Sequence, residues 1–317
     1  MEMPTFGLIR YPLSSCVAAA LLVGCGGSQP PIGAPAAAQQ SPTTIRHAQH
    51  GGFWMKPESA SGDLIYAVGG CGGACVLTYP GGEQVGQITL SIAYAACSDT
   101  QGNVFITGGS TVDEFVHGGV TSVNTLTLPG NQASGCAVDP ATNDLAVVYD
   151  EVRVAVFPNE SGSPLIYSTK LSANYCGYDN ESNLFVSGDN EQSHTISELP
   201  HGMTKFTILS VKGKLGNPGQ VQWDGSHLTY ESRDPINIAR LSIRGSIAKV
   251  IGTTSFKGHG NAAMASWIYD GSVLLPYGGK VEKLNKIGLW PYPGDGKRTN
   301  SINFSSRISA VTVSSVP

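Results

Sequence analysis

The sequence has little charge. Only 13% of its 317 residues are Asp, Glu, Lys or Arg, against about 25% in an average globular protein. The 19 Lys and Arg residues are outnumbered by 23 Asp and Glu residues, and the formal net charge is −4. A protein that holds a nucleic-acid backbone needs a basic surface to neutralise phosphates. This charge balance therefore excludes nucleic acid from the expected partners.

Sustained helical periodicity is also missing. The apolar run near the N-terminus, Leu13 to Gly24, has 12 residues, fewer than the roughly 20 that a membrane-spanning helix needs. Gly and Pro are instead abundant, at 40 and 19 residues, and the apolar fraction is 41%. That fraction is enough for a hydrophobic core and argues against a wholly disordered chain. The composition favours a β-rich protein with many turns.

Residues 1–24 are typical of a secretory signal peptide, with Arg10 before the apolar run. The run ends in Leu22-Val23-Gly24-Cys25, which resembles the bacterial lipobox. That resemblance implies cleavage before Cys25 and acylation of its sulfur and of its new amino group, and stable anchoring needs more than one acyl chain. An ordinary signal peptide or an uncleaved anchor is the alternative.

The position after the lipobox cysteine bears on localisation. Gly26 stands where lipoproteins retained in the inner membrane of two-membrane bacteria carry Asp. We therefore expect an exported protein that is lipid-anchored in the cell envelope, in the outer rather than the inner membrane if the host has both. Residues 25–58 are small, Pro-rich and aperiodic, so we predict a flexible tether followed by a folded domain at 59–317.

An Asp recurs after a short apolar run, at intervals of 40 to 46 residues. The five repeats of this residue are Asp99, Asp139, Asp179, Asp224 and Asp270. Each is followed by a turn rich in Gly, Asn and Ser, by a β-rich run, and by a second strand that enters a tight turn. One unit therefore contains four short strands, which we name a to d from the innermost outward, and this is the period of a propeller blade.

The two ends of the repeat region indicate a closed ring. The first strand, which follows Asp63, has no strand a before it, while residues 308–314 look like a strand a with only Ser-Val-Pro after it. Asp63 to Ser314 spans 252 residues, or six periods of about 42. We therefore predict an all-β fold: a six-bladed β-propeller of four-stranded antiparallel blades, closed by the C-terminal strand pairing in the first blade. Closure leaves no open sheet edge.

The repeat also carries a family resemblance. The elements of the repeat unit are Gly or Cys-x-Val-Asp, a turn, Asn-Leu-apolar-Val and a Tyr-Pro-Gly-like hairpin. This unit resembles that of the NHL/gluconolactonase class of six-bladed propellers. The chain is also similar to uncharacterised bacterial secreted lipoproteins of that class. The similar features are the lipobox, the tether, the segment 54–58 that leads into the domain, and the Tyr-Cys-Gly-Tyr-Asp segment at 175–179. The resemblance implies architecture more than activity, because propellers host unrelated functions.

The repeated Asp residues are interpreted as structural. Within a blade the strands alternate in direction, so all five Asp residues fall in a–b turns around one rim. The simplest role is an Asx-type turn, in which the carboxylate accepts from backbone N–H groups two residues on. A ring of calcium ligands is the alternative.

The cysteines divide into two groups. Cys71 and Cys75 flank two glycines in the b–c connection of the first blade and are a candidate disulfide. Cys97, Cys136 and Cys176 fall on the inner strands of successive blades, which we expect to splay beyond the roughly 7 Å Cα separation that a disulfide tolerates. We interpret these three as buried hydrophobes, with a thiolate metal site as the alternative, and their redox state stays open. At least one of the five cysteines beyond Cys25 must be unpaired.

The b–c loops supply the candidate binding residues, which are polar or charged and crowd one face. They are Asp150, Glu151, Asp189, Asn190, Glu191, Glu231, Arg233 and Asp234. Aromatic residues on the predicted strands a are expected to fill the packing between blades, with a sugar-stacking platform as the alternative. These are Tyr175, Tyr178, Trp223, Trp267 and Tyr269.

The favoured function is non-enzymatic binding or scaffolding, in which the loop face takes a small molecule, a glycan or a protein and needs no cofactor. No Gly-x-Ser-x-Gly motif occurs, and the scattered His residues do not recur with an acid at a fixed spacing. The resemblance implies an alternative, because sugar lactonases of that class hold a divalent cation with Glu, Asn and Asp at the channel mouth. That alternative is a hydrolase dependent on Ca²⁺ or another divalent cation. A purely structural envelope protein is the third reading.

Overall fold

The computed structural model describes residues 54–56, 58–191 and 193–316. The predicted signal peptide, Cys25 and the tether before Trp54 lie outside these residues. The described chain contains 28 β-strands and three short 3-10 helices, at Ser59–Ser61, Pro158–Glu160 and Val281–Lys283. None of the described helices has the length and apolar character needed to cross a membrane.

The first three blades take up the first half of the domain. The strands of the first blade are β1 (Trp54–Met55), β2 (Leu64–Val68), β3 (Gly73–Thr78) and β4 (Gln84–Thr89). The second blade contains β5 (Ala95–Ser98), β6 (Val104–Gly108), β7 (Thr111–Phe115) and β8 (Asn124–Thr127). The third blade contains β9 (Cys136–Val138), β10 (Leu145–Tyr149), β11 (Arg153–Phe157) and β12 (Leu165–Ser168).

The last three blades follow in the same order. The fourth contains β13 (Ser172–Tyr178), β14 (Leu184–Asp189), β15 (His194–Leu199) and β16 (Thr207–Ile208). The fifth contains β17 (Ser210–Lys212), β18 (Pro218–Trp223), β19 (Leu228–Arg233), β20 (Ile236–Arg244) and β21 (Ile247–Lys257). The sixth contains β22 (Ala262–Ala263), β23 (Trp267–Tyr269), β24 (Ser272–Gly278), β25 (Lys286–Pro291), β26 (Gly296–Lys297) and β27 (Asn300–Asn303), and β28 (Ala310–Ser314) is last.

The predicted architecture is confirmed: the protein is an all-β, six-bladed propeller whose blades are four-stranded antiparallel sheets. Three blades carry additions. β1 pairs with the outer strand β4 of the first blade, β17 pairs in parallel with β21 at the outer edge of the fifth, and β26 also pairs in parallel with β21. In the sixth blade, β22 and β23 both pair with β24.

Ring closure is confirmed as well. β28 pairs antiparallel with β2, from Ser314 opposite Leu64 to Ala310 opposite Val68. The last strand therefore supplies the innermost strand of the first blade, in the order β28-β2-β3-β4 from the axis outward.

The core lies between the blades. Buried apolar side chains form six clusters, and each cluster draws mainly on two neighbouring blades, although the cluster between the first and second blades also includes Tyr175 of the fourth and Ala265 of the sixth. Successive side chains of a strand point to opposite faces of its sheet, and each face of a blade meets another blade. Both faces are therefore buried, which is why all five residues of β2, Leu-Ile-Tyr-Ala-Val, are inaccessible to solvent.

The repeated Asp residues bind backbone N–H groups in the a–b turns. Asp99 shows the arrangement, since its Oδ1 accepts from the N–H groups of Gln101 and Asn103 at 2.9 and 2.7 Å. The bond from the residue two positions on recurs in three further blades, at Asp139, Asp179 and Asp224. In these four turns the carboxylate makes the bonds of an Asx turn.

Asp270 departs from this pattern. Asp270 and Gly271 have φ angles of +44° and +66°, as the two central residues of a type I′ hairpin turn require. The flanking residues Tyr269 and Ser272 pair directly. The shorter turn leaves no N–H two residues on for the carboxylate, so the Asx interpretation does not extend to this blade.

The prediction that inner strands keep their cysteines too far apart is wrong for one pair. Cys97 of β5 and Cys136 of β9 form a disulfide, with Cα atoms 5.7 Å apart. The inner strands converge on the ring axis instead of splaying. Gly135, just before β9, donates its N–H to the carbonyl of Asn174 in the next blade at 2.7 Å. Backbones this close bring side chains at equivalent positions within disulfide reach.

Two other cysteines are also joined. Cys71 and Cys75 form a disulfide with Cα atoms 5.3 Å apart, which joins the connection between β2 and β3 to Cys75 on β3 itself. Cys176 on β13 is the free cysteine of the described chain and is buried.

Candidate functional site

The central channel opens into a cavity of about 460 Å³ on the face that carries the b–c and d–a loops. We call this cavity the loop-face mouth. Every blade contributes to its lining, which places it on the ring axis. One residue from each blade, starting with the first, gives the set Ser309, Tyr94, Ser134, Asn174, Arg233 and Met264. Most of these residues lie at or just before the start of an inner strand, where the d–a loop arrives.

A second cavity, of about 390 Å³, lies at the other end of the channel, among the a–b turns. Its lining is largely apolar and includes Tyr178, Trp223, Trp267 and Tyr269. Four of the five aromatic residues that were expected to fill the packing between blades therefore also line this opening, and Trp223, Trp267 and Tyr269 are half-buried. The fifth, Tyr175, lines the loop-face mouth.

Two guanidinium groups lie at the loop-face mouth. The Arg233 Cζ atom is 5.5 Å from the ring centroid of Tyr175, within cation–π range. Arg307 contacts the Met264 sulfur, with Nη2 3.5 Å from Sδ. In the described part of the chain, neither guanidinium has a carboxylate oxygen within 4.0 Å. The Nε of Arg233 is buried and has no hydrogen-bond partner.

The charges of both arginines act on the hydroxyl of Tyr175. Burial raises the pKa of its hydroxyl, and the positive charges of Arg233 and Arg307 oppose that rise. The residue is 6% exposed, and its hydroxyl forms no hydrogen bond within the described residues. At neutral pH the hydroxyl is therefore protonated and has a proton to donate into the cavity.

The placement of Glu231 on a b–c loop is wrong. Glu231 lies within β19 and is 1% exposed. Its Oε2 accepts from both the N–H and the Oγ–H of Ser266 at 2.8 Å, and from the N–H of Gln220 at 3.3 Å, while its Oε1 is buried without a partner. Burial raises the pKa of this carboxyl, and the hydrogen bonds from Ser266 oppose the rise.

Glu231 is located between the two cavities. Ala265 lines the loop-face mouth and Trp267 lines the opposite cavity, and Ser266, which binds Glu231, lies between them in the chain. Arg233, two residues further along β19, reaches the loop-face mouth. The buried carboxyl thus lies beneath the mouth rather than in it.

The remaining predicted loop residues are dispersed. Glu151 lines the loop-face mouth, whereas Asp150 accepts from the N–H of Asn131 at 3.1 Å and lies outside it. Asp189 and Asn190 line a separate cavity of about 720 Å³ between the fourth and fifth blades, where Asp189 contacts His194 Nδ1 at 2.5 Å. Glu191 and Asp234 are exposed and line neither cavity. Of the predicted set, only Glu151 and Arg233 therefore lie together at the described loop-face mouth.

Sequence reasoning missed Arg307, Tyr94 and Asn174. All three lie at or near the start of an inner strand, where the d–a loop of the preceding blade ends. Because d–a and b–c loops open on the same face of a propeller, the polar residues of both loop sets were candidates. The predicted order of strands was therefore enough to mark the residues of the d–a loops as candidates.

The lining of the mouth does not fit a divalent cation. Glu151 is the one carboxylate among its described residues, and two guanidinium groups lie in the same lining. The described chain contains no group of three or more His, Cys, Asp or Glu side chains placed to hold a metal ion. Of the Glu, Asn and Asp set that the lactonase resemblance implies, the described lining contains Glu151 and Asn174 but no Asp.

Comparison with known proteins bears on the fold. No protein-family model matches the chain, and no curated protein matches it. Among the 1080 matching chains of solved structures, one belongs to a nidogen–laminin complex, with a TM-score of 0.61 and 14% identity over 80% of this chain and 98% of that chain. Another, a protein of unknown function from Bacteroides caccae, has a TM-score of 0.59 and 12% identity over 80% and 99%. At such identities the likeness shows the six-bladed propeller fold and assigns no activity.

Proposed function

We propose that this protein is an exported protein of the cell envelope, anchored by a lipid on Cys25, and that its propeller acts as a non-enzymatic binding module. The binding site is the loop-face mouth. The observation that carries the proposal is the axial cavity of about 460 Å³, to which all six blades contribute side chains. Small-molecule sites in proteins are concave, largely preformed and about 300–1,000 Å³ in volume.

The chemistry of the lining favours recognition over catalysis. Its described residues combine apolar groups with guanidinium, amide and hydroxyl groups. Such groups hold and orient a ligand. Acid–base and nucleophilic catalysis mostly use paired carboxylates, His or Cys, and the lining offers the single carboxylate of Glu151.

Filling the mouth tests the binding role. The Asn174 side chain is half-buried and forms no hydrogen bond within the described residues, so Asn174→Trp adds bulk to the cavity without removing a hydrogen bond. Gln101→Trp, at an exposed position on the opposite face, is the matched control. Wild-type and variant proteins are immobilised and exposed to a small-molecule extract of the cell envelope, and the retained compounds are identified by mass spectrometry.

We expect wild type and Gln101→Trp to retain the same compounds and Asn174→Trp to lose them. Equal retention by all three proteins, or no retention by wild type, would overturn the binding role of the mouth.

Lipid anchoring is tested separately. Cys25 follows the Leu-Val-Gly sequence of a lipobox, and two or more acyl chains hold a protein stably on a membrane. Cys25→Ser should abolish both incorporation of labelled palmitate and partition into a detergent phase, whereas Cys16→Ser, within the signal segment, should leave both unchanged. Label in the Cys25→Ser protein would overturn the assignment.

A further inference from the structure

The loop-face mouth is positively charged in a chain that has an excess of acid. The whole chain has a formal net charge of −4. The described lining of the mouth contains Arg233 and Arg307 against Glu151, a formal charge of +1. The Glu151 carboxylate accepts a long hydrogen bond from the Ser172 hydroxyl at 3.5 Å and lies more than 4.0 Å from both guanidinium groups.

The guanidinium donors of the mouth are largely unused. Arg233 stacks on Tyr175 but leaves its buried Nε unpartnered, and a buried polar group without a partner is unfavourable. Arg307 is exposed and contacts only a thioether sulfur. The Tyr175 hydroxyl, under the influence of both arginines, is a further free donor. The guanidinium and hydroxyl donors at this cavity therefore outnumber its one carboxylate, that of Glu151.

We propose that the loop-face mouth binds a small organic acid whose carboxylate is held by Arg233 and Arg307, with the Tyr175 hydroxyl as an additional donor. The planar fork of a guanidinium matches a carboxylate through paired hydrogen bonds. The apolar body of the acid packs against Ala95, Ala265 and Met264, which also line the cavity. This assignment rests on the proposed binding function, because it names the ligand class of the same site.

The charge of the site favours a carboxylate over a phosphate monoester. A carboxylate carries one negative charge and neutralises the formal +1 of the lining. A phosphate monoester carries about −1.5 to −2 at pH 7 and would leave an excess negative charge next to Glu151.

Three probes with the same apolar ring separate these chemistries: benzoate, neutral benzamide and phenyl phosphate. Binding to the full-length protein in detergent micelles is measured by saturation-transfer NMR titration. We expect benzoate to bind at least tenfold more tightly than benzamide and at least threefold more tightly than phenyl phosphate. Equal affinity for benzoate and benzamide, or tighter binding of phenyl phosphate, would overturn the carboxylate assignment, as would the absence of benzoate binding.

Arg307→Gln should weaken benzoate binding at least tenfold, and Tyr175→Phe should weaken it by a smaller factor. Arg153→Gln is the control, because it removes the same charge from the same face at a side chain outside the mouth and should change the affinity less than twofold. Unchanged affinity in Arg307→Gln would overturn the proposal. If wild type retains neutral envelope compounds that Asn174→Trp loses, the binding function stands and the organic-acid assignment fails.

Discussion

The carboxylate of Asp63 accepts a hydrogen bond from the backbone N–H of Val316, 253 residues away in the sequence, at 2.9 Å. Its second oxygen accepts from the hydroxyl of Tyr269 at 2.9 Å. Asp63 precedes β2, Val316 follows β28, and Tyr269 ends β23 in the sixth blade. One side chain therefore joins the C-terminal strand, the first blade and the last blade at the closure of the ring.

Asp63→Ala should destabilise the propeller. The substitution leaves two donors without their charged acceptor, and hydrogen bonds to a charged group contribute about 1.5–3 kcal/mol each. We expect the free energy of unfolding in urea to fall by at least about 1.5 kcal/mol. Glu191→Ala removes the same charge at an exposed position and should change the stability by less than about 0.5 kcal/mol. Equal effects of the two substitutions would show that Asp63 does not hold the ring closed.

The same contact predicts that the free energy of unfolding depends on pH in the alkaline range. Burial, and then the hydrogen bond to Asp63, raise the pKa of the Tyr269 hydroxyl from 10.0 to about 12. The folded state thus holds this proton more tightly than the unfolded state does. The resulting stabilisation is complete below pH 10 and is lost as the pH rises to about 12. Urea unfolding should therefore show a steeper loss of stability for wild type than for Tyr269→Phe across that range, and parallel curves would contradict it.

The two disulfides should contribute unequally to stability. In the chain-entropy model a cross-link stabilises by restricting the unfolded chain, and the effect grows with the length of the closed loop. The sequence separation is 39 residues for Cys97–Cys136 and 4 for Cys71–Cys75, which corresponds to roughly 4 and 2 kcal/mol. We expect Cys97→Ala/Cys136→Ala to lower the free energy of unfolding more than Cys71→Ala/Cys75→Ala does. Non-reducing peptide mapping should recover both linked pairs, and the absence of the Cys97–Cys136 peptide would contradict the structure.

The sequence predicts the ring because its evidence is periodic. The Asp spacing marks five of the a–b turns, and the unpartnered strand at each end of the repeat region requires closure. These patterns reflect the backbone and the turns, which recur from blade to blade. Fold and blade number follow from them without knowledge of any side-chain contact.

The site could be predicted only in part, for a physical reason. Ionisable residues in a β-rich chain usually mark loops, but both faces of a blade are covered, so a strand can carry a buried ionisable side chain. Glu231 is such a case, because Ser266 of the next blade supplies its hydrogen bonds. The presence of Arg307 and Arg233 in one lining depends on where the ring brings the first and fifth blades together, which no local pattern reports.

Gly177 marks the close approach of two blades. A Cβ atom at this position would lie 2.3 Å from the carbonyl oxygen of Val221 on the inner strand of the fifth blade. Gly177→Ala should therefore force β13 and β18 apart, and overpacking of this kind costs about 1–3 kcal/mol. Gly294→Ala is the control, since no atom lies within 4 Å of its Cβ position. Thermal unfolding of both variants measures the difference, and equal midpoints would contradict the close packing.

Glu231 predicts a second pH dependence, at the acidic end. Burial raises the pKa of its carboxyl above the usual 4.5, so the folded protein favours the protonated form more than the unfolded chain does. That contribution to stability is complete below pH 4.5 and declines as the pH rises through the raised pKa.

Glu231→Gln retains a carbonyl acceptor for Ser266 and cannot ionise. The free energy of unfolding of wild type, measured in urea, should therefore fall relative to that of Glu231→Gln as the pH rises above 4.5. Glu191→Gln, at an exposed carboxyl, should give a difference from wild type that is flat with pH. A wild-type protein that gains stability over Glu231→Gln as the pH rises would mean that the ionised carboxylate is the form stabilised in the fold, with Arg233 as its counter-charge.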